Sequence, residues 1–199
     1  MKGLEKFLLL KPAINKVTDG GMFRFIFAWF YRVLGALTLF GVFYVSWKLW
    51  GQINSQMPVK YFIGALLVQV FLVGLGYVLI NILFIRANDI QSIPATKEYS
   101  VTPIIVICFK TIGELSASVY AIFGIALGMA KFVIGERMNM VPVDLPWLSF
   151  RSSGFEIIIQ SSLIAFLLLF ALYAIAELQA ALVDIARNTS VMARTKKRN

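Results

Sequence analysis

Lys110 and Glu114 stand four residues apart inside a long apolar run, Ile104 to Ala130. On a helix that spacing places them on one face, where the ammonium and the carboxylate form a pair that lowers the cost of holding either charge in a membrane. Three further polar residues fall at a matching depth if the chain crosses the bilayer four times. Arg32 lies in the first apolar stretch, Asn81 near the end of the second, and Glu177 at the end of the fourth. The sequence predicts an intramembrane cluster of Arg32, Lys110, Glu114, Glu177 and Asn81. Two chemistries suit such a group. Buried ionisable residues in spans mark ion or proton pathways; alternatively the two cations snorkel to the headgroups while the carboxylates neutralise them. The second is favoured, because the opposite halves of the four stretches carry few polar groups and a conduction route must continue across the membrane. Gln69, Gln160, Ser161 and Ser162 are the main candidates for continuing it.

Other chemistry is poorly provided for. The chain has no histidine and a single cysteine, Cys108, which excludes an intrachain disulfide and the usual zinc ligand sets. The lack of histidine also removes the commonest general acid and base. No phosphate-binding glycine loop and no nucleophile elbow is present. The expectation is therefore a protein that is not an enzyme and uses no cofactor and no metal.

The elements that must position these residues follow from composition. Of 199 residues, 59% are apolar and only 15% are charged, and mean hydropathy is +0.80. Water-soluble domains need more polar surface than that, so the chain reads as a membrane protein. A spanning helix takes about 20 predominantly apolar residues. Four stretches qualify: Phe25 to Trp47, Tyr61 to Ile85, Ile104 to Ala130 and Ile157 to Ala176. Because hydrocarbon offers the backbone no hydrogen bonds, each is expected to be helical. The predicted fold class is all-α, a polytopic membrane protein with four transmembrane helices.

Gly124-x-x-x-Gly128, with Ala117 and Ala121 on the preceding turns, gives the third stretch a small-residue face for close helix packing. Within span two, Gln69 and Asn81 are expected to face other helices rather than lipid. Aromatic belts flank the first span, from Phe23 to Tyr31 and from Phe43 to Trp50, as befits the two membrane interfaces. The chain divides into a basic amphipathic segment 1–21, a first hairpin with its inner loop 22–100, a second hairpin 101–187 that includes an apolar outer loop 131–154, and a basic tail 188–199. The inner loop is expected from Arg86 to Thr102. The fourth helix is expected to run past the bilayer until Arg187-Asn188 stops it.

Net charge is +9, and its distribution argues for orientation rather than for nucleic acid. Outside Arg32 and Lys110, 12 basic residues fall in the two tails and the loop between spans two and three, against 5 in the other two loops. The positive-inside rule then places both termini in the cytoplasm of a cell whose inner (plasma) membrane holds the protein. The lysines of the first segment and of the tail suit anionic lipid headgroups.

Two stretches echo each other: Tyr31-Arg32-Val33-Leu34-Gly35-Ala36-Leu37 and Phe109-Lys110-Thr111-Ile112-Gly113-Glu114-Leu115. The ends of spans two and four also rhyme, Ile85-Arg86-Ala87-Asn88 with Ile185-Ala186-Arg187-Asn188. A tandem pair of two-helix hairpins would produce this pattern, with both copies in one orientation. At Thr102-Pro103-Ile104-Ile105, Phe109 and Gly113, and over the helix from Glu177 to Asn188, the chain resembles an uncharacterised family of small bacterial two-span (hairpin) membrane proteins. That resemblance implies a fold and no activity. Glu114 departs from the echo, since Ala36 stands at its counterpart.

These features are those expected of a non-catalytic accessory or scaffold subunit, assembling laterally with itself or with other membrane protein subunits. The alternative is a small ion or proton transporter or channel built on the charged cluster. The orientation can be tested directly. A reporter active only in the cytoplasm should work when fused after Asn199 and be silent when inserted in the turn 52–58; the opposite pattern would invert the topology.

Overall fold

The structure is a computed structural model, and it describes residues 21–53, 57–94, 101–135 and 153–196. These residues form five α-helices and one π-helical turn, with no strand among them: α1 (Gly21–Gly51), α2 (Val59–Ser92), α3 (Thr102–Ser118), a π segment (Val119–Phe123), α4 (Gly124–Ile134) and α5 (Gly154–Lys196). α3, the π segment and α4 run on as one rod, so the described residues include four helices long and apolar enough to cross a membrane. The N-terminal segment, the middle of the inner loop, most of the apolar outer loop and the last three residues lie outside the described residues.

The helices are longer than the apolar windows, because hydropathy marks where hydrocarbon lies while backbone-breaking residues mark where helices end. The fourth, expected to stop at Arg187-Asn188, runs on to Lys196, since no proline or glycine interrupts it. Pro58 precedes α2, and α2 stops at Ser92 because Pro94 forces Ile93 into an extended conformation, φ −59° and ψ 125°. Pro103 sits in the first turn of α3, where its missing N–H has no intrahelical partner to lose. α4 ends at Gly135, whose φ of 96° suits glycine and whose N–H donates to the carbonyl of Lys131 at 2.9 Å. α5 opens on a reciprocal cap: the Ser153 N–H donates to the Glu156 carboxylate at 2.9 Å, and the Glu156 N–H donates to Ser153 Oγ at 3.3 Å. Arg86, placed in the inner loop by the hydropathy window, is thus a residue of α2, six positions before its end.

The four long helices form a row. α1 packs along α2, α2 packs against the rod of α3 and α4, and α5 packs on the rod's other side. The rod is consequently the most enclosed span, with 56% of its apolar window buried against 17% for the spans of α1 and α5. At the end of the row where α1 begins and α2 finishes, Ala28 and Tyr31 of α1 meet Leu83, Ala87 and Ile90 of α2 and Ile104 of α3. At the opposite end Ala65 and Val68 of α2 pack with Leu127, Ala130 and Ile134 of α4 and Ile157 of α5. The π turn, with its extra residue, changes the phase of the rod between these two layers.

The small residues of the rod are spent on α5. A side chain at Gly124 would meet Ser161, and one at Gly128 would meet Ile158 and, at 2.6 Å, the carbonyl of Gly154. Ala126 and Ala130, on the same rod, are fully buried, while Ala117 and Ala121 are half-buried. Lateral contact through Gly124 and Gly128 is accordingly made inside the chain. Gln69 donates to Ser46 Oγ at 3.0 Å and joins α2 to α1. Asn81 differs from expectation: it is exposed and donates to the carbonyl of Tyr77 in its own helix at 2.8 Å, because its helical phase turns it away from the neighbours of α2.

Gly128→Leu should therefore push α4 from the first turn of α5 and destabilise the protein by about 1–3 kcal/mol, the usual cost of overpacking. Gly74→Ala, where a side chain would meet nothing within 4 Å, should be neutral or mildly stabilising through helix propensity. Thermal unfolding in mild detergent distinguishes the two.

Candidate functional site

The densest polar contact joins three helices around one carboxylate. Glu114 of α3 accepts from Arg86 of α2 through Nε at 3.0 Å and again through Nη2, so the guanidinium engages it with two parallel bonds. Tyr173 of α5 donates its hydroxyl to the same carboxylate. Arg86 also donates to the Tyr173 hydroxyl at 3.2 Å, and its Nη1 pairs with Asp89 at 2.8 Å one turn along α2. Lys110 lies with its ammonium 5.3 Å from the centre of the Tyr173 ring, a cation–π distance. The Arg86 and Glu114 side chains are only 21% and 19% exposed.

Local sequence explains how each group arrives there. Leu83, Ala87 and Ile90 bury one face of α2 at helical spacing, and Arg86 lies beside that face, close enough to the rod to reach α3. Glu114 follows Gly113, which lets α5 come close: a side chain at Gly113 would stand 3.2 Å from Leu172 Cβ. Tyr173, the next residue on α5, is thereby brought within reach of α3.

The predicted cluster is thus distributed over separate places. Lys110 and Glu114 share a face and both touch Tyr173, yet among the described residues the ion pair of Glu114 is with Arg86. Arg32 lies elsewhere, donating to Gln91 Oε1 at 3.0 Å and to Asn88 Oδ1 at 3.4 Å on α2, with its guanidinium 5.9 Å from the Trp29 ring. Glu177 is exposed on α5, one turn beyond Tyr173, and Asn81 is exposed on α2. Helical phase and the choice of neighbouring helices separate these residues. Sequence reasoning missed Arg86 and Tyr173. The periodicity of Leu83, Ala87 and Ile90, unbroken until Pro94, is the signal that Arg86 belongs to a helix. Tyr173, the one hydroxyl-bearing aromatic between Ile157 and Ala176, carried no comparable signal.

Above this knot the rod and α1 diverge. The gap is a cleft of about 340 Å³ between α1, α2 and the rod, lined by Leu34, Thr38, Leu79, Leu83, Leu115, Ser116, Val119 and Tyr120. It contains no ionisable group other than the Tyr120 phenol. Thr38 donates to the carbonyl of Leu34 at 2.9 Å, which satisfies it within α1. Among the described residues no three His, Cys, Asp or Glu side chains come together as a metal site.

Comparison with family models, with curated proteins and with solved structures finds no match. Two cations, Arg86 and Lys110, stand against two carboxylates, Glu114 and Asp89, so the group is neutral as a whole and binds three helices together.

Removing one member should expose that role. Arg86→Met leaves Glu114 partly buried without its ion pair and should cost about 2 kcal/mol or more. Adding Glu114→Leu to it should recover much of the loss, since two apolar residues then replace the charges. Unfolding measurements on the two single variants and the double variant check this, and equal losses in Arg86→Met and the double variant would contradict it.

Proposed function

We propose that this chain is a non-catalytic integral membrane subunit, an accessory or scaffold protein that assembles laterally with itself or with a larger membrane complex. The observation that carries this reading is the row of helices. α1 and α5 are each attached along one edge only, leaving long apolar faces such as Phe40, Phe43 and Trp47 on α1 and Phe166 and Phe170 on α5 outside the molecule. Faces of this kind suit lipid and other spanning helices alike, and no water-exposed domain among the described residues could carry an activity by itself.

The placement that goes with this reading is an inner (plasma) membrane with both termini in the cytoplasm, supported by the charge asymmetry and by the even number of spans. Anionic lipid at the basic tails belongs to the same proposal.

A small ion or proton transporter is the second reading, and the hydrogen-bonded Glu114 at the meeting of three helices favours it. Two things count against it. The charges of the knot balance, and nearer the other end Ser161 and the Gln69 amide N–H are bonded locally, although Gln69 Oε1 and Gln160 Oε1 are buried without a hydrogen-bond partner among the described residues. Ser161 donates to the carbonyl of Ile158 at 3.1 Å, and Gln69 is held by Ser46 between α1 and α2.

Native electrophoresis after gentle extraction from the source membrane should give a species larger than one 22.3 kDa chain with its detergent; a monomer alone would remove the assembly reading. Purified protein in sealed vesicles should pass no ions or protons under an imposed gradient. Flux abolished by Glu114→Gln would replace the assembly reading with the transporter.

A further inference from the structure

α5 is an unbroken helix of 43 residues, about 64 Å long at 1.5 Å per residue, roughly twice what the hydrocarbon core needs. Its charges say which part crosses. Between Glu156 and Glu177 lie 20 residues without a charge, a length that matches the hydrocarbon core. Beyond Glu177 the helix contains neither proline nor glycine, so it cannot turn to lie flat on the bilayer while its first half spans it. With Gly113 of α3 packed on Leu172 and the two helices antiparallel, α5 outlasts the start of α3 at Thr102 and continues to Lys196. Yet this projecting half is not polar all round. Ile175, Leu178, Leu182, Ile185, Thr189 and Met192 follow one another at alternating spacings of three and four, the seven-residue repeat of a coiled-coil seam. All six are exposed, Leu178 at 61% and Met192 at 72%. The seam lies away from the face that α5 gives to the rod, which carries the buried Ala176.

We infer that this seam is a self-association surface, and that its occupant is the same α5 segment of a second copy of the chain, packed in parallel. The inference rests on the lateral-assembly reading and names its surface. Two copies inserted the same way present identical seams at identical height, so a symmetric pairing aligns them parallel and in register. The residues beside the seam permit it. Gln179, Ala181, Ala186 and Asn188 are uncharged, so the two-fold axis brings no like charges together, and the alanines allow close approach. Glu177 and Asp184 stand off the seam. Thr189, at a core position, is the one polar residue in it, and its hydroxyl donates to the Ile185 carbonyl of its own helix at 2.8 Å, so it can enter the seam without an unpaired donor. Fewer than three repeats project from the membrane, short for a free coiled coil, but confinement of both copies to one membrane raises their effective concentration. Ile175 carries the stripe back toward the outer face of the span.

Oxidative cross-linking of the full chain in its own membrane tests the pairing. On a Cys108→Ser background, single variants Ile185→Cys and Met192→Cys should give a disulfide-linked dimer, whereas Asp184→Cys and Ala180→Cys, off the seam, should not. Cross-linking of equal yield at all four positions overturns the proposal. So does its absence at both seam positions, the result expected if lipid or a different protein covers the stripe. As a second measurement, Leu182→Glu with Ile185→Glu should abolish the dimer and leave a folded, fully helical monomer, because both positions are exposed. If the wild-type chain runs as a larger species and this double variant leaves it intact, the seam is wrong while lateral assembly stands. If the wild-type chain is a monomer, both fail.

Discussion

The rod of α3, the π turn and α4 has to be a good neighbour on two sides at once, and the architecture depends on how it does so. In hydrocarbon there is no general apolar driving force between helices, so they stay together through close packing and a few polar contacts. The rod supplies both. Toward α5 it presents Gly113, Gly124 and Gly128, which bring the two backbones near each other. Toward α2 it presents Leu127, Ala130 and Ile134 in one layer and Ile104 in the other. Glu114 then fastens it to both neighbours through Arg86 and Tyr173.

That division of labour explains why the row stays open. α1 has contacts with α2 along its length, at Gly35 against Phe84 and at Val42 against Gly76, but it meets the rod chiefly through the layer around Tyr31. α5 sits on the far side of the rod. With the rod between them, the outer helices do not close into a ring, and the cleft beside Leu34 and Thr38 is a consequence of the same divergence. The free outer faces are the basis of the assembly reading, and the neutral knot is the reason a transport reading ranks below it.

The sequence made several features legible in advance. Four spans, their helical nature and the importance of the third could all be read from hydropathy and backbone chemistry, because a bilayer imposes one length scale and one hydrogen-bonding solution. Helix ends were less legible from hydropathy than from breakers: Pro58, Pro94, Pro103 and Gly135 bound helices that run past the apolar windows. The reciprocal cap of Ser153 and Glu156 was also present in the letters as a Ser-x-x-Glu pattern. Lys110 and Glu114 were correctly seen to share a face, but the partners of that face were not.

What residue types and spacing determined by themselves is depth, since each residue adds 1.5 Å along a helix whose crossing is fixed by the bilayer. Which residues meet at a given depth is set by rotation about each helix axis and by which helices are neighbours, and neither is encoded locally. Arg32 and Asn81 therefore lie in surroundings other than those of Glu114, while Arg86 and Tyr173 reach it from two other helices. Only the tertiary packing, with Gly113 admitting α5 and the rod inserted between α2 and α5, decided that three helices converge on one carboxylate.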